Sequence, residues 1–294
     1  MDGTPRARAG DPDDAPTGGV ERREAYTWGY ADRTRRRMSG RTAAREAAFL
    51  LPHLRPGMRL LDFGCGTGTT TVGLAAAVAP GEVVGLDIGE PALALAAERG
   101  VGNVRFDSGS VYALPFPDAS FDAAFSRSVL EHLAEPLAAL REVRRVLKPG
   151  GVIGVRDGDH GGAPVLAPPS PLVEEAMAPS FRVWERNGGN PRRGREHHAL
   201  LRAAGFARIE ASAGAHVINA AGGPFVSGTP EAARDFAAGI RTGLLSPTFI
   251  RTVGELGWAE QPRLEELAGA WDAWGAHPDA FCAWLMCQAV GWAE

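Results

Sequence analysis

The segment LLDFGCGTG, residues 60–68, joins an apolar run to a loop in which every second residue is glycine. The mostly apolar run Met58–Phe63, bounded by turn residues, predicts a buried strand. Gly64, Gly66 and Gly68 let the backbone turn sharply out of that strand, and they leave no Cβ between the main chain and a ligand. We therefore expect a ligand-binding loop at the carboxyl end of a buried strand.

Strands and helices alternate around this loop. Short apolar runs predict strands, and longer runs with helical spacing that end at proline or glycine predict helices. The predicted strands are Met58–Phe63, Glu82–Leu86, Val104–Phe106, Phe121–Ser126, Val152–Val155, Ala207–Ser212 and Phe281–Trp292. The predicted helices are Arg41–Leu51, Thr69–Val78, Pro91–Arg99, Pro136–Leu147 and Arg195–Ala204. This order predicts an α/β fold with a doubly wound, mostly parallel sheet.

Composition limits the classes of function. Among 294 residues, Asp and Glu number 35 against 31 Lys and Arg, so the chain lacks the basic excess of a nucleic-acid-binding domain. No apolar segment has the length of a signal peptide or a membrane span. The three cysteines fit neither a zinc site nor a disulfide framework, which indicates a reducing compartment and no metal. We expect a cytoplasmic protein without nucleic-acid or membrane partners, and a disordered tail over residues 1–20.

The acid that follows the second predicted strand narrows the choice of ligand. In sheets of this kind, ligands bind beyond the carboxyl ends of the strands. Asp87 stands at such an end, and a carboxylate is a charged, bidentate acceptor suited to the two hydroxyls of a ribose. A dinucleotide fingerprint would need glycine at position 69, where this chain has threonine. The loop and Asp87 together predict an adenosyl site of another kind.

Four blocks of sequence, in this order and at this spacing, resemble the class I S-adenosylmethionine-dependent methyltransferases of the UbiE and small-molecule type. They are LLDFGCGTGTTTVGLA at 60–75, VVGLDI at 83–88, YALPFPDASFDAAFSRSVLEHL at 112–133 and LREVRRVLKPGGV at 140–152. The resemblance implies S-adenosyl-L-methionine as the cofactor. It also implies the Rossmann-like fold of that family, a seven-stranded sheet with an antiparallel last strand.

The resemblance implies a role for each matching residue. It places the methionine part of the cofactor against Asp62, Gly64, Cys65, Gly66 and Gly68. Asp87 would hold the ribose, Ile88 would cover the adenine, and Ser126 or Arg127 would lie beside the sulfonium.

Two further parts of the predicted cofactor site depart from the pattern or leave alternatives open. Many relatives carry an aspartate in the turn that reaches the adenine edge, whereas this chain has Ser110 and Val111, and a neutral hydroxyl is a weaker acceptor than a carboxylate. Near the N-terminus, Tyr26 and Tyr30 occupy a segment that relatives often fold over the cofactor. Packing of these two rings onto the first helix is the alternative.

The rest of the chain is interpreted as one methyltransferase domain, residues 21–294, with a cofactor core over about 41–156. If the last strand is 281–292, two insertions remain, about 158–191 and 215–278, and long insertions at the ligand end of a sheet are usually functional. We interpret them as helical lids over the methyl acceptor. Tryptophans within them predict packing of the lid more than a substrate cage.

Methyl transfer from a sulfonium depends chiefly on positioning, so a general base is optional. His160, after the fifth predicted strand, is the candidate base, and a solvated loop histidine is the alternative. We expect methyl transfer to a small, partly apolar metabolite of specialised metabolism, by a monomer or homodimer. The competing hypothesis is a protein that keeps the fold but uses the cofactor structurally, as a cyclase or a regulatory module.

Overall fold

The computed structural model of the protein describes residues 41–162, 164–219, 227–228 and 230–294. A mixed sheet of nine strands forms its centre. The strands are β1 (Leu60–Phe63), β2 (Val83–Asp87), β3 (Val104–Ser108), β4 (Phe121–Arg127), β5 (Leu147–Asp159), β6 (Val165–Ala167), β7 (Ala207–Asn219), β8 (Ser227–Gly228) and β9 (Phe281–Ala293). Their order is β3-β2-β1-β4-β5-β9-β7-β8, and β6 pairs with β9.

Helices cover both faces of the sheet. They are α1 (Ala43–Glu46), α2 (Thr69–Val78), α3 (Glu90–Ala97), α4 (Pro136–Val146), α5 (Pro171–Glu175), α6 (Met177–Arg186), α7 (His197–Ala203), α8 (Pro230–Leu244), α9 (Pro247–Glu255) and α10 (Gln261–Ala276). Helices α4 and α7 pack on one face of the sheet, and α1 and α2 pack on the other. We call the second of these the α1 face.

The strand pairings confirm the predicted fold class. Strands β1 to β5 run parallel, and β9 is antiparallel to both of its long neighbours, β5 and β7. The seven predicted strands are all present. Two short strands, β6 and β8, join them at the end of the sheet where β9 and β7 extend beyond the parallel core.

The predicted boundaries of the two lid insertions, at 158 and 215, are wrong by a few residues. Strand β5 continues to Asp159 and β7 continues to Asn219. The physical reason is the length of β9, whose 13 residues offer backbone partners to both strands: Asp159 pairs with Leu285 and Asn219 pairs with Phe281. The insertions therefore begin only after residues 159 and 219.

The predicted first helix, Arg41–Leu51, is also wrong. Helix α1 covers only Ala43–Glu46, and a short 3-10 helix follows at Leu51–His53. Between them the chain bends so that Ala47 and Leu50 are both fully buried. Packing of these two side chains against the sheet outweighs the helical periodicity of the segment.

The helices of the two insertions build an apolar cluster of their own at the far end of the sheet. Residues from α5, α6, α8 and α10 pack there against Ile218 of β7 and against Cys282 and Trp284 of β9. Trp271 and Trp274 of α10 are buried inside this cluster, in agreement with the packing interpretation. Among the described helices, none is long and apolar enough to cross a membrane.

Candidate functional site

The loop after β1 has a backbone that only glycine accepts readily. Gly64, Gly66 and Gly68 have φ values of 75°, 54° and 71°, in the left-handed region that side chains disfavour. Space excludes side chains as well: a Cβ on Gly64 would come within 2.2 Å of Val129 Cγ2, and one on Gly68 within 2.6 Å of Phe106 Cζ. The alternating glycines are therefore required by the shape of the loop itself.

Asp87, at the end of β2, bridges the glycine loop and the turn that follows β2. Its Oδ2 accepts a hydrogen bond from the Gly66 N–H at 2.8 Å, and its Oδ1 accepts one from the Gly89 N–H, also at 2.8 Å. Asp87 thus shapes the glycine loop through two backbone hydrogen bonds.

A second buried acid lies under the loop. Asp62 accepts a hydrogen bond from Thr71 Oγ1 at 2.6 Å. Its burial, with a contribution from the nearby charge of Asp87, raises the pKa of Asp62 to about 7. Burial and the same two acids also raise the pKa of the Cys65 thiol. Two buried carboxyl groups, those of Asp62 and Asp87, therefore lie beneath the loop.

A pocket with about 290 Å³ of empty volume opens over the loop. Its walls are formed by Arg41, Asp62, Gly64, Cys65, Gly66, Thr67, Thr69, Thr70, Phe125 and Arg127. We call this pocket the cradle. The structure thus brings together five of the predicted site residues, which come from β1, its loop and β4.

Five cradle residues were not predicted from the sequence. They are Arg41, Thr67, Thr69, Thr70 and Phe125. The run of three threonines after Gly68 was a signal in the sequence, because Thr69 and Thr70 open α2 directly after the glycine loop. Arg41 and Phe125 carried no such signal.

Several predicted residues lie away from the cradle walls. Ile88 is 64% exposed, and Ser110 is exposed and accepts a hydrogen bond from the Tyr112 N–H at 3.2 Å. Val111 is buried in the cluster that contains α4. Ser126 is fully buried, next to Arg127 but on the opposite side of β4, so the structure separates these two candidates. Gly68 and Asp87 do not line the cradle either. Gly68 ends the loop at the start of α2, and Asp87 accepts a hydrogen bond from the Gly66 N–H. Tyr26 and Tyr30 lie outside the described residues.

His160, the candidate base, lies among aromatic rings rather than in a solvated loop. Its ring centroid is 5.6 Å from those of Phe181 and Trp184 and 6.3 Å from that of Trp284. The imidazole folds back over Gly158, where an added Cβ would meet His160 Nε2 at 2.3 Å. We call these four rings the aromatic wall.

Two other histidines have structural partners. His197 Nε2 lies 2.8 Å from Asp157 Oδ2, and both groups are buried. The other oxygen of Asp157 accepts hydrogen bonds from the Val129 and Glu131 N–H groups, which fixes the turn after β4. His132 stacks on Trp184 with ring centroids 4.7 Å apart.

A cluster of charged side chains, Glu46 and the arginines around it, borders the cradle on the α1 face. Glu46 is fully buried, and its Oε1 lies 2.9 Å from Arg45 Nε while its Oε2 lies 3.1 Å from Arg127 Nε and 3.7 Å from Arg156 Nε. Burial raises the pKa of Glu46, but these arginines and Arg41 outweigh it and hold the pKa at about 2. Glu46 is therefore anionic at neutral pH. Sequence patterns did not predict this cluster, because Glu46, Arg127 and Arg156 are far apart in the chain.

Comparison with known proteins agrees with this geometry. The methyltransferase domain model of the Methyltransf_11 family matches residues 61–155. An uncharacterized methyltransferase of Schizosaccharomyces pombe is 36% identical over 165 residues, which are 53% of this chain and 59% of that protein. Demethylmenaquinone methyltransferase of Staphylococcus aureus is 37% identical over 131 residues, 44% of this chain and 54% of that protein. The chain thus spans about half the length of the curated relatives it matches.

Solved structures show the same fold. The YcgJ protein of Bacillus subtilis aligns with a TM-score of 0.54 at 22% identity, over 84% of this chain and 97% of its own. A Bacillus halodurans protein aligns with a TM-score of 0.53 at 15% identity, over 86% and 98%. These similarities show the fold of the chain, and the matched family model identifies residues 61–155 as a methyltransferase domain.

Proposed function

We propose that the chain transfers the methyl group of S-adenosyl-L-methionine to a small, partly apolar metabolite. The observation that carries this proposal is the cradle: a glycine loop that exposes backbone, beside two buried acids, at the carboxyl ends of β1 and β2. Ligands of doubly wound sheets bind at this end. The methyltransferase model matches the same segment.

The residues of the cradle fit this cofactor. Gly64 and Gly66 line the cradle without side chains, so an extended ligand could approach the backbone closely there. The methionine part carries an ammonium group and a sulfonium, both cationic, and Asp62 supplies a buried carboxyl beside them. Asp87 would accept hydrogen bonds from the ribose hydroxyls, because a carboxylate is a charged, bidentate acceptor. We assign Asp62, Gly64, Cys65 and Gly66 to the methionine part, with Arg127 at the border of this site.

The cofactor, when bound, supplies an already electrophilic methyl group on sulfur. The task of the protein is then to hold the acceptor in line with that group and to exclude water, and positioning of this kind contributes on the order of 7 to 11 kcal/mol. The glycine loop and Asp87 orient the cofactor. The lid helices and their apolar cluster close the far side of the α1 face.

The aromatic wall supports an acceptor that is at least partly apolar. Phe181 and Trp184 come from the first insertion, and Trp284 from β9, so the lid and the sheet both contribute rings. His160 stands among them as the side chain that can accept a proton from an acceptor hydroxyl. Its position beside the rings rather than in the cradle supports a role on the acceptor side of the proposed reaction.

The remaining expectations enter as parts of this proposal. The three cysteines are free thiols, which supports a reducing, cytoplasmic location. A place in specialised metabolism and a monomeric or homodimeric state complete the proposal.

The test is to incubate the purified protein with S-adenosylmethionine labelled on the methyl group and a panel of small metabolites. Transfer of label, together with equimolar S-adenosylhomocysteine, is the expected result. Heat-denatured protein and a reaction without acceptor measure spontaneous breakdown. Tight cofactor binding without S-adenosylhomocysteine for any acceptor would replace this proposal with the structural use of the cofactor.

A further inference from the structure

A row of polar side chains crosses the α1 face of the sheet. Arg127 of β4 pairs in register with Arg156 of β5, Arg156 with Gln288 of β9, and Gln288 with Ser212 of β7. Neighbouring strands lie about 4.8 Å apart, so these four side chains are adjacent. Arg156 Nη1 donates to Gln288 Oε1 at 3.0 Å, and Gln288 Nε2 donates to Ser212 Oγ at 3.1 Å. We call them the polar row.

The polar row separates two apolar regions on the same face. Side chains two residues apart on a strand share a face. On β9, Val290 and Trp292 pack with the cluster of α1 and α2, whereas Trp284 and Cys282 belong to the lid cluster. Gln288 lies between these two pairs. The polar row is therefore a hydrophilic strip between the core and the lid, where a protein would otherwise continue its apolar packing.

Positive charge exceeds negative charge along this strip. In the described part of the chain, Glu46 is the one carboxylate that pairs with Arg127 and Arg156, and it also pairs with Arg45. His216 adds no compensating charge, because burial and the neighbouring Arg127 lower its pKa to about 3 and keep it neutral. Among the described residues, the guanidinium groups of Arg127 and Arg156 thus share one carboxylate. Uncompensated buried charge is costly, and a second anion would relieve it.

The two row arginines have unused donors. Arg127 donates from Nε to Glu46, and neither of its Nη groups makes a hydrogen bond within the described ranges. Arg156 donates from Nη1 to Gln288, while its buried Nε has no hydrogen-bond partner there. Their side chains are only 10% and 11% exposed. A guanidinium presents its donors in a fork that matches the two oxygens of a carboxylate.

We propose that Arg127 and Arg156 form a subsite for the carboxylate of the methyl acceptor, so that the substrate is a small apolar or aromatic acid. This inference rests on the proposed function. Arg127 borders the cradle, which brings the subsite next to the proposed methyl donor. On β5, Gly158 follows Arg156 on the same face about 7 Å further along, and the His160 ring lies over it. The acid group would bind the arginines, and the apolar part would contact the aromatic wall.

Direct binding tests the subsite without turnover. The probes are three acids, benzoate, 4-hydroxybenzoate and hexanoate, and their neutral methyl esters, measured by calorimetry on the full chain saturated with S-adenosylhomocysteine. We expect at least one acid to bind at least tenfold more tightly than its ester. Arg156→Gln should abolish this preference, while Arg55→Gln, an exposed control with the same change of charge before β1, should keep it. Absence of an acid preference in every pair would overturn the subsite.

A second measurement separates the acceptor from the cofactor, which has a carboxylate of its own. We expect Arg156→Gln to leave the affinity for S-adenosylmethionine within about twofold of the unsubstituted protein. A tenfold loss of cofactor affinity with the acid preference intact would assign the arginines to the cofactor and overturn the proposal.

A conservative variant keeps the test decisive if Arg156→Gln does not fold. Arg156→Lys retains the charge and loses the fork, and it should keep the melting temperature while reducing the acid preference. An unchanged preference in a folded Arg156→Lys variant would contradict bidentate binding by Arg156. Turnover is read separately: failure to form S-adenosylhomocysteine with any probe would remove the proposed function, whereas the acid-to-ester ratio alone decides the subsite.

Discussion

The cradle and the polar row lie side by side and are built in opposite ways. The cradle is formed mainly by consecutive residues of one loop, Gly64 to Thr67, with two buried acids, Asp62 and Asp87, beneath that loop. The polar row collects arginines from β4 and β5 around Glu46 of α1, and it is positive. Arg127 belongs to both.

This contrast shows how the two sites obtain their chemistry. In the cradle, backbone conformation provides the binding surface, and the acids are close because β1 and β2 are adjacent parallel strands. In the polar row, the surface is made of long side chains whose separation in sequence ranges up to 161 positions, from Arg127 to Gln288. Arg127 borders both, so the arginines that suit an acidic acceptor lie next to the proposed cofactor site.

The largest expected effect comes from removing the negative charge of Glu46, which lies beside the arginines of the polar row. Glu46→Gln removes the buried carboxylate that Arg127 and Arg156 share, and we expect a loss of about 3 to 5 kcal/mol in the free energy of unfolding. Urea denaturation measures it. Glu255→Gln, at an exposed position on α9, is the control and should change little. Equal stability of the two variants would contradict the importance of this charge.

On the side of the cradle, the backbone of the glycine loop is the sensitive element. Gly64→Ala forces a Cβ into left-handed backbone and against Val129, which should cost about 2 to 5 kcal/mol of stability or an equivalent loss of cofactor affinity. Calorimetry and thermal unfolding measure the two. Gly102→Ala, with no atom within 4 Å of the added Cβ, is the matched control. If Val129→Ala does not partly restore the Gly64→Ala variant, the steric explanation fails.

The role of Asp87 gives a smaller effect. Asp87→Ala removes the acceptor of the Gly66 and Gly89 N–H groups and of the proposed ribose hydroxyls, so the affinity for S-adenosylmethionine should fall by about 1 to 3 kcal/mol. Calorimetry is the measurement, and Asp235→Ala, at an exposed site on α8, is the control. Unchanged affinity would undo the assignment of Asp87 to the cofactor.

The pKa of Asp62 is raised, whereas that of Glu46 is lowered, so the dependence of stability on pH at Asp62 should have the opposite sign. Because burial raises the pKa of Asp62 to about 7, its contribution to stability is present below its ordinary value near 3.8 and is lost as the pH rises through about 7. Asp62→Asn stays neutral at every pH. In the absence of cofactor, the melting temperature of this variant minus that of the unsubstituted protein should increase as the pH is raised from about 5 to about 8. A pH-independent difference would mean that Asp62 titrates in its ordinary range.

The smallest expected effect concerns the candidate base. His160→Gln should leave the affinity for S-adenosylmethionine unchanged, because His160 does not line the cradle. Turnover should fall by up to about tenfold, less than the hundredfold or more of an essential general base, since methyl transfer depends mainly on positioning. Steady-state formation of S-adenosylhomocysteine measures it. Unchanged turnover with an acceptor that carries a hydroxyl would exclude the base role.

Patterns confined to one segment predicted the structure well. The sequence predicted all seven principal strands. The reason is clearest for β1 and β2, which are buried along their whole length, because a strand buried on both faces is mostly apolar and ends where turn residues begin. The glycines at 64, 66 and 68 predicted the loop for a local reason, their positive φ values. Helix α1 is the counterexample: its periodicity continued to residue 51, but burial of Ala47 and Leu50 ended the helix after Glu46.

The sequence by itself thus determined the fold class, the glycine loop and the strand end that carries Asp87, since each depends on backbone geometry encoded within a few residues. Only the tertiary structure decided which side chains meet. It separated Ser126 from Arg127, moved His160 into the aromatic wall, and joined Glu46 to Arg127 and Arg156. The physical reason is that such contacts depend on strand order and register, which pair residues far apart in the chain and leave no periodic trace in any one segment.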